Sequence, residues 1–326
     1  MTRNAPAAPP FVAEPSQAGL DALAAVVWGR GWHRVALVGA SKNAGKTTAL
    51  NALSAAASQH GERVGLVSIG VDGEAYDAWL DIPKPLVRVE KGTVLVTSEQ
   101  AARDAGRLLK IMGPTGFDSA LGPTVVARAR APGGIQLCGI PHRAHLIRAV
   151  QALVDAGAAR VLVDGAYHRQ AAAHADVVEA CVVAVGAVLG ASPEEVAERA
   201  AVTLLALATP AHEGPTSGWI ALTGALTDAR LAAVPTSAVG VRVEGPSHVL
   251  LTERGRAELE RRGLRLAARR PVPLVAIASN PHRPGGTDDG AGSLQRAIAD
   301  VLARHGVVAP PIVDVVSGAV LHPQRP

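Results

Sequence analysis

The sequence predicts a doubly wound α/β fold with a mostly parallel sheet, on two observations. Short apolar runs of strand length alternate with amphipathic helical patterns, as expected when helices connect parallel strands. Hydrophobic residues make up 48% of the chain but aromatic residues only 2%. This Ala-, Val- and Leu-rich composition suits strands that are buried on both faces. A chain of 326 residues is long enough for one large domain or two modest ones.

The predicted elements alternate in the order that this fold class requires. Strands are predicted at 34–39, 64–69, 93–97, 124–129, 135–139, 160–164, 181–185, 219–222 and 273–278. Between them, a capping box at 192–195 with Pro193 at the first helical position starts one helix. Two further helices are predicted at 143–156 and 294–305, because apolar residues recur on one face and a glycine follows each.

Four segments are predicted along the chain. Residues 1–17, rich in Pro and Ala, are expected to form a disordered arm, and 18–208 to form the α/β core. Residues 209–270 contain a loop-rich break, a hairpin-like stretch at 239–251 and a charged helix, and are interpreted as a small insertion or subdomain. Residues 271–326 are expected to supply a last strand and helix that complete the core sheet.

Composition argues against several classes of function. The net charge is only +4, and no basic block with interleaved aromatics offers a platform for nucleic acid. No apolar run is long enough to span a membrane, and the N-terminus lacks the apolar core of a signal peptide. Cys138 and Cys181 lie in apolar stretches, as buried reduced thiols do. We therefore expect a cytoplasmic protein that binds neither nucleic acid nor membranes.

The stretch "VALVGASKNAGKTTALNAL" at 35–53 has the pattern of a phosphate loop (Walker A): strand, small-residue loop and helix. A phosphate cradle needs converging backbone N–H groups, a helix N-terminus, a Lys for the β- and γ-phosphates and a hydroxyl for magnesium. The residues predicted to contact the nucleotide are Gly39, Ala40, Ser41, Lys42, Asn43, Ala44, Gly45, Lys46, Thr47 and Thr48. Thr47 is also a predicted magnesium ligand.

One position departs from the usual pattern, which places a glycine five residues before Gly45. Ala40 occupies that place, and the glycine is one residue earlier, at Gly39. A methyl group is tolerated where φ stays negative, and the same glycine spacing is found in dethiobiotin synthetase and its relatives. The alternative is a glycine-rich strand–helix turn with an incidental Lys46, but the flanking strand and helix favour nucleotide binding.

Acidic residues at the ends of other strands are candidates for the rest of the site. Asp164 directly follows a predicted strand, and Asp72 and Glu74 follow the strand at 64–69. Parallel strands bring their carboxyl ends to one edge, so Asp72 and Asp164 could share one Mg²⁺, and Glu74 could orient water as a base. For each acid the alternative is a turn or helix-cap carboxylate. With Lys46, these three acids are the predicted catalytic residues.

Asn280 ends a predicted buried strand and precedes Pro281. Its amide offers a donor and an acceptor, which together can pair with a purine edge. An ordinary Asn-Pro turn is the alternative. The expected ligands are therefore Mg²⁺ and ATP or GTP.

Several motifs in order resemble one known family, the small subunit of the reactivase associated with lysine 5,6-aminomutase. The motifs are "GASKNAGKTTALNAL", "SIGVDGE", "PKPLVRVEKGTVLVTS", "VLVDGAYHR", "VAVGAVLG" and "ASNPHRPGG", and the resemblance spans roughly 35–316. The resemblance implies a P-loop NTPase that uses nucleotide hydrolysis to release damaged cobalamin from an adenosylcobalamin- and pyridoxal-phosphate-dependent aminomutase. It also implies a second, larger ATPase subunit as partner, and it assigns the phosphates to 39–48 and magnesium to Asp72 and Asp164.

Two other classes of function remain open from the residues alone. One is an ATP-dependent small-molecule ligase or kinase like dethiobiotin synthetase, in which Lys42 or Lys91 could act near the γ-phosphate. The other is a module that binds nucleotide without turnover. For the reactivase, residues 209–270 are the predicted partner surface.

Overall fold

The computed structural model describes residues 16–70, 86–165, 172–212, 214–283, 290 and 292–323, and the backbone pairing of 76–77 and 82–83. Its helices are α1 (Gln17–Trp28), α2 (Lys46–Gln59), α3 (Glu99–Asp104), α4 (Arg143–Asp155), α5 (Pro193–Leu207), α6 (Asp228–Ala232), α7 (Glu253–Arg261) and α8 (Ser293–Arg304). Its strands are β1 (Arg34–Gly39), β2 (Val64–Ile69), β3 (Tyr76–Asp77), β4 (Ile82–Pro83), β5 (Val87–Val89), β6 (Val94–Ser98), β7 (Leu109–Ser119), β8 (Gly122–Ala129), β9 (Gly133–Ile135), β10 (Gly139–Ile140), β11 (Arg160–Gly165), β12 (Ala180–Gly186), β13 (Trp219–Ala221), β14 (Leu226–Thr227), β15 (Gly240–Val243), β16 (Val249–Leu250), β17 (Arg265–Ala268), β18 (Leu274–Asn280), β19 (Ile312–Asp314) and β20 (Val320–Leu321).

One large sheet organises the described chain. Its strand order is β20-β19-β18-β12-β1-β11-β2-β6-β8-β7, and β10 also pairs with β2. All neighbours from β19 to β6 are parallel, whereas β20, β8 and β7 add antiparallel pairs at the two edges. The predicted mostly parallel sheet is therefore confirmed.

Helices cover both faces of this sheet, so the fold is doubly wound. Successive residues of β1 point to opposite faces, as the period of a strand requires. Val35 and Leu37 belong to the apolar cluster that contains α1 and α2. Ala36 and Val38 belong to the cluster that contains α4, α5 and α8. The central strands are thus buried on both sides, which explains their continuous apolar sequences.

The three predicted helices near 143, 192 and 294 are present, and so are the predicted strands apart from the one at 135–139. Residues 133–135 form β9, which pairs antiparallel with β5, and 139–140 form β10, which pairs parallel with β2. One segment therefore serves two different partners. Residues 136–138 separate the two strands. The prediction of one continuous strand at 135–139 is therefore wrong.

Residues 209–270 contain two small sheets of their own. β13, β15 and β17 form one parallel sheet and β14 and β16 another, around a separate apolar cluster that includes Leu226, Leu231 and Val241. The predicted hairpin at 239–251 is wrong, because β15 and β16 pair with other strands and not with each other. The 3₁₀ turn Pro246–His248 carries the chain from one sheet to the next. The predicted charged helix is α7.

The two ends of the chain differ from the sequence prediction in detail. Ser16 and Gln17, assigned to the arm, are the N-cap and first residue of α1. Residues 1–15 lie outside the described residues. After β18 and α8 the chain adds β19 and β20 to the main sheet, beyond the single strand and helix predicted. None of the described helices has the length and apolar character needed to cross a membrane.

Candidate functional site

The phosphate-loop candidate, residues 39–45, connects β1 to α2 at the carboxyl edge of the sheet, where β1 lies between β11 and β12. Asn43 (φ 58°) and Gly45 (φ 91°) have left-handed backbones, and Ala40 does not. A Cβ on Gly39 would lie 3.0 Å from the carbonyl oxygen of Ser41. The loop therefore needs its first glycine for close backbone approach, and it accommodates the methyl group of Ala40.

Helix α2 begins without a capping side chain. Ser or Thr side chains cap α1, α3, α5, α6 and α7, whereas α2, α4 and α8 have no side-chain cap among the described residues. Of these three, α2 is the one that begins directly after the loop at 39–45, with Gly45 as its N-cap. The first N–H groups of a helix need partners, and together with the helix dipole they attract anions. The start of α2 is therefore suited to hold a phosphate.

Lys46 and Asp164 meet at this place. The Nζ of Lys46 lies 2.5 Å from Oδ1 of Asp164, and the two side chains are 22% and 17% exposed. β11 is the parallel neighbour of β1, with Asp164 opposite Leu37, so the aspartate lies at the carboxyl edge beside the loop. On the far side, Ser68 of β2 directs its Oγ to Oδ2 of Asp164 at 3.3 Å.

Asn280 lies at the end of β18 against the loop. A Cβ on Gly45 would lie 3.4 Å from the Nδ2 of Asn280, and the asparagine is only 9% exposed. Its Oδ1 accepts the N–H of His282 at 3.0 Å, which is the turn that the alternative interpretation expected. The carbonyl is therefore engaged within the chain, and the amide N–H groups are what Asn280 presents to a ligand. A purine contact stays a prediction.

Two glycines that sequence reasoning did not assign allow close packing, Gly186 against the loop and Gly165 against strand β1. A Cβ on Gly186, at the end of β12, would lie 2.9 Å from the Cα of Ala44. A Cβ on Gly165, after Asp164, would lie 2.9 Å from the carbonyl oxygen of Leu37. Contacts of this kind join segments that are distant in the chain, so only a comparison of related sequences could have shown them in advance.

The oxygen donors near α2 fit a hard cation. Thr47 supplies a hydroxyl in the first turn and Asp164 a carboxylate, both of which suit Mg²⁺. The other predicted acids, Asp72 and Glu74, lie outside the described residues. Among the residues that are described, no group of three His, Cys, Asp or Glu side chains could hold a metal by itself.

An open depression of about 520 Å³ reaches the loop at Ala40. It is lined by Ala40, Arg199, Val202, Thr203, Thr252, Glu253 and Arg254. The loop, helix α5 and the start of α7 thus each contribute a wall. Segment 209–270 therefore lies across this depression from Ala40.

No protein-family model matches the chain, and no curated protein matches it significantly. Among solved structures, the chain is similar to the kinase domain of Escherichia coli tyrosine kinase ETK, with 19% identity and a TM-score of 0.27. The match covers 51% of this chain and 60% of that domain. A likeness of this size does not extend to activity, so the function follows from the residues of the site itself.

Proposed function

We propose that this chain binds a purine nucleoside triphosphate with Mg²⁺ at residues 39–48 and hydrolyses it. The observation that carries the proposal is the uncapped start of α2 beside the paired Lys46 and Asp164. Lys46 would move its ammonium group from Asp164 to the phosphate oxygens, and Thr47 and Asp164 would hold the metal. When bound, Mg²⁺ would neutralise charge on the phosphates during hydrolysis.

Replacement of Lys46 tests the binding site. Lys46→Ala should weaken triphosphate binding on the order of 10- to 100-fold, because charge-assisted hydrogen bonds to phosphate are lost. Binding of the nucleoside alone should stay unchanged. Isothermal calorimetry with a non-hydrolysable triphosphate measures both. Lys110→Ala removes the same charge from an exposed position on β7 and is the matched control. Equal triphosphate affinity of Lys46→Ala and wild type would contradict the site.

We further propose that hydrolysis serves to reactivate an adenosylcobalamin-dependent aminomutase, with a second ATPase subunit as partner. The ordered motifs of the sequence support this role. The first residues of "SIGVDGE" are the end of β2, and Ser68 there contacts Asp164. A nucleotide-driven chaperone of this kind changes its affinity for a partner between two nucleotide states.

The test combines this chain, the second subunit and a cobalamin-inactivated aminomutase with ATP, Mg²⁺ and fresh adenosylcobalamin. Recovery of mutase activity should require this chain and should fail with Lys46→Ala. Equal recovery without the chain would contradict the reactivase role but leave nucleotide binding intact.

The depression beside Ala40 favours one second candidate, an ATP-dependent ligase or kinase that acts on a small acid. This depression is open to solvent, with a volume of about 520 Å³, and Arg199 and Arg254 line it, so a small carboxylate could bind there beside the nucleotide. Phosphorylation or ligation of a small acid by the isolated chain, with no effect on the mutase, would support this candidate in place of the reactivase.

A further inference from the structure

Ser68 occupies a position of β2 where the surrounding pattern is apolar. Val64 and Leu66, at alternate positions of the same strand, belong to the buried cluster under α2. The next residue on that face is Ser68, which is half-buried. A serine gains little from burial there unless its hydroxyl has a partner.

The partner of Ser68 is Asp164. The two residues are opposite each other in the parallel β2–β11 pair. The Oγ of Ser68 lies 3.3 Å from Oδ2 and 3.3 Å from the backbone oxygen of Asp164. Oδ1 accepts from Lys46 at 2.5 Å. The carboxylate thus lies within reach of two donors, Lys46 on a long flexible side chain and Ser68 on a central strand. The hydroxyl of Ser68 has one proton, which Oδ2 shares with the backbone oxygen.

We infer that Ser68 is a positioning residue for Asp164, an inference that rests on the proposed function. Lys46 must leave Asp164 to reach phosphate, which frees Oδ1. Ser68 stays on β2, where its hydroxyl can donate to Oδ2, so the carboxylate retains its orientation while Oδ1 becomes available to the cation. Without the hydroxyl, Asp164 could rotate and would meet Mg²⁺ in several orientations. Partners of this kind that orient a metal-binding carboxylate commonly contribute 10- to 100-fold to metal affinity or activity.

The experiment measures the Mg²⁺ concentration that half-saturates tight binding of a non-hydrolysable triphosphate. Ser68→Ala should raise that concentration about tenfold, while affinity for the triphosphate in EDTA stays at the wild-type value. Ser68→Thr keeps a hydroxyl and suits a strand, so it should restore most of the Mg²⁺ dependence. Ser54→Ala is the matched control, because the Oγ of Ser54 is buried on α2 without a partner among the described atoms.

Two further measurements separate positioning from a structural role and from failure of the site. In an Asp164→Asn background, Ser68→Ala should have no additional effect on Mg²⁺ dependence if it acts through Asp164. A thermal midpoint lowered by Ser68→Ala without any change in Mg²⁺ dependence would overturn the inference, as would equal Mg²⁺ dependence of Ser68→Ala, Ser54→Ala and wild type. If wild type binds no triphosphate at all, the proposed function fails and the inference fails with it.

Discussion

The two ends of β1 and β11 carry charged groups that are held in different ways. At the amino ends, Arg160 forms two bonds to Glu62, from Nε at 2.8 Å and Nη2 at 2.9 Å, and its guanidinium lies 5.0 Å from the ring centroid of Trp28. Glu179 accepts from Arg34 and from the N–H of His33. At the carboxyl end, Lys46 makes one ion pair with Asp164 among the residues that are described.

The difference indicates which end can exchange partners. A bidentate arginine pair with aromatic packing fixes both side chains and adds rigidity. A lysine ammonium is a point charge on a flexible stem and can move to another anion at little cost. The same two strands thus have a stabilising end and an exchangeable end. Charge removal should reduce stability at the first and nucleotide chemistry at the second.

The largest effect is expected from a substitution at the exchangeable end, the Lys46–Asp164 pair. Asp164→Asn preserves shape and removes the charge, so nucleotide hydrolysis should fall on the order of 100-fold or more. The thermal midpoint of the apo protein should barely move, since the amide oxygen of an Asn can still accept from Lys46 and the flexible stem of Lys46 lets its ammonium group reach solvent. Steady-state phosphate release and thermal unfolding measure the two quantities. A large loss of apo stability with retained hydrolysis would indicate that Asp164 is a structural turn residue.

A smaller effect, on the free energy of unfolding, is expected from a substitution at the stabilising end, the Arg160–Glu62 pair. Glu62→Gln should lower the free energy of unfolding by about 1–2 kcal/mol, because the Arg160 side chain is only 11% exposed and loses its charged acceptor. Triphosphate affinity should not change. Urea unfolding and calorimetry measure the variant. Glu99→Gln, in an exposed pair with Arg103, should cost less than about 0.5 kcal/mol. Loss of nucleotide binding in Glu62→Gln would contradict the division between the two ends.

The smallest effect is a dependence of stability on pH. The side-chain hydrogen bond from Arg160 lowers the pKa of Glu62 from its ordinary value of 4.5. The contribution of this carboxylate to stability is therefore complete above pH 4.5 and is lost as pH falls through the lowered pKa. The unfolding free energy of wild type should decline below pH 4.5 more steeply than that of Glu62→Gln. Parallel pH profiles of the two proteins would exclude this role.

The features of the site that could be predicted from the sequence are those set by interactions between residues that are close in the chain. The loop at 39–45, the helix after it and the strand that ends in Asp164 each depend on neighbouring residues, and all three are present in the structure. The predicted hairpin at 239–251 and strand at 135–139 were wrong for the opposite reason. Both have a strand pattern, but the choice of pairing partner depends on residues far away in the chain.

The sequence by itself determined the periodicity of the strands, the small residues of the loop and the residue types at the strand ends, because these follow from backbone sterics and local hydrogen bonding. Only the tertiary structure decided that β11 lies beside β1 with β2 next to it. That order brings Lys46, Asp164 and Ser68 together from three separate segments. It also places Gly186 against Ala44. Strand order results from burying apolar surface of the whole chain at once, and no local stretch of sequence carries that information.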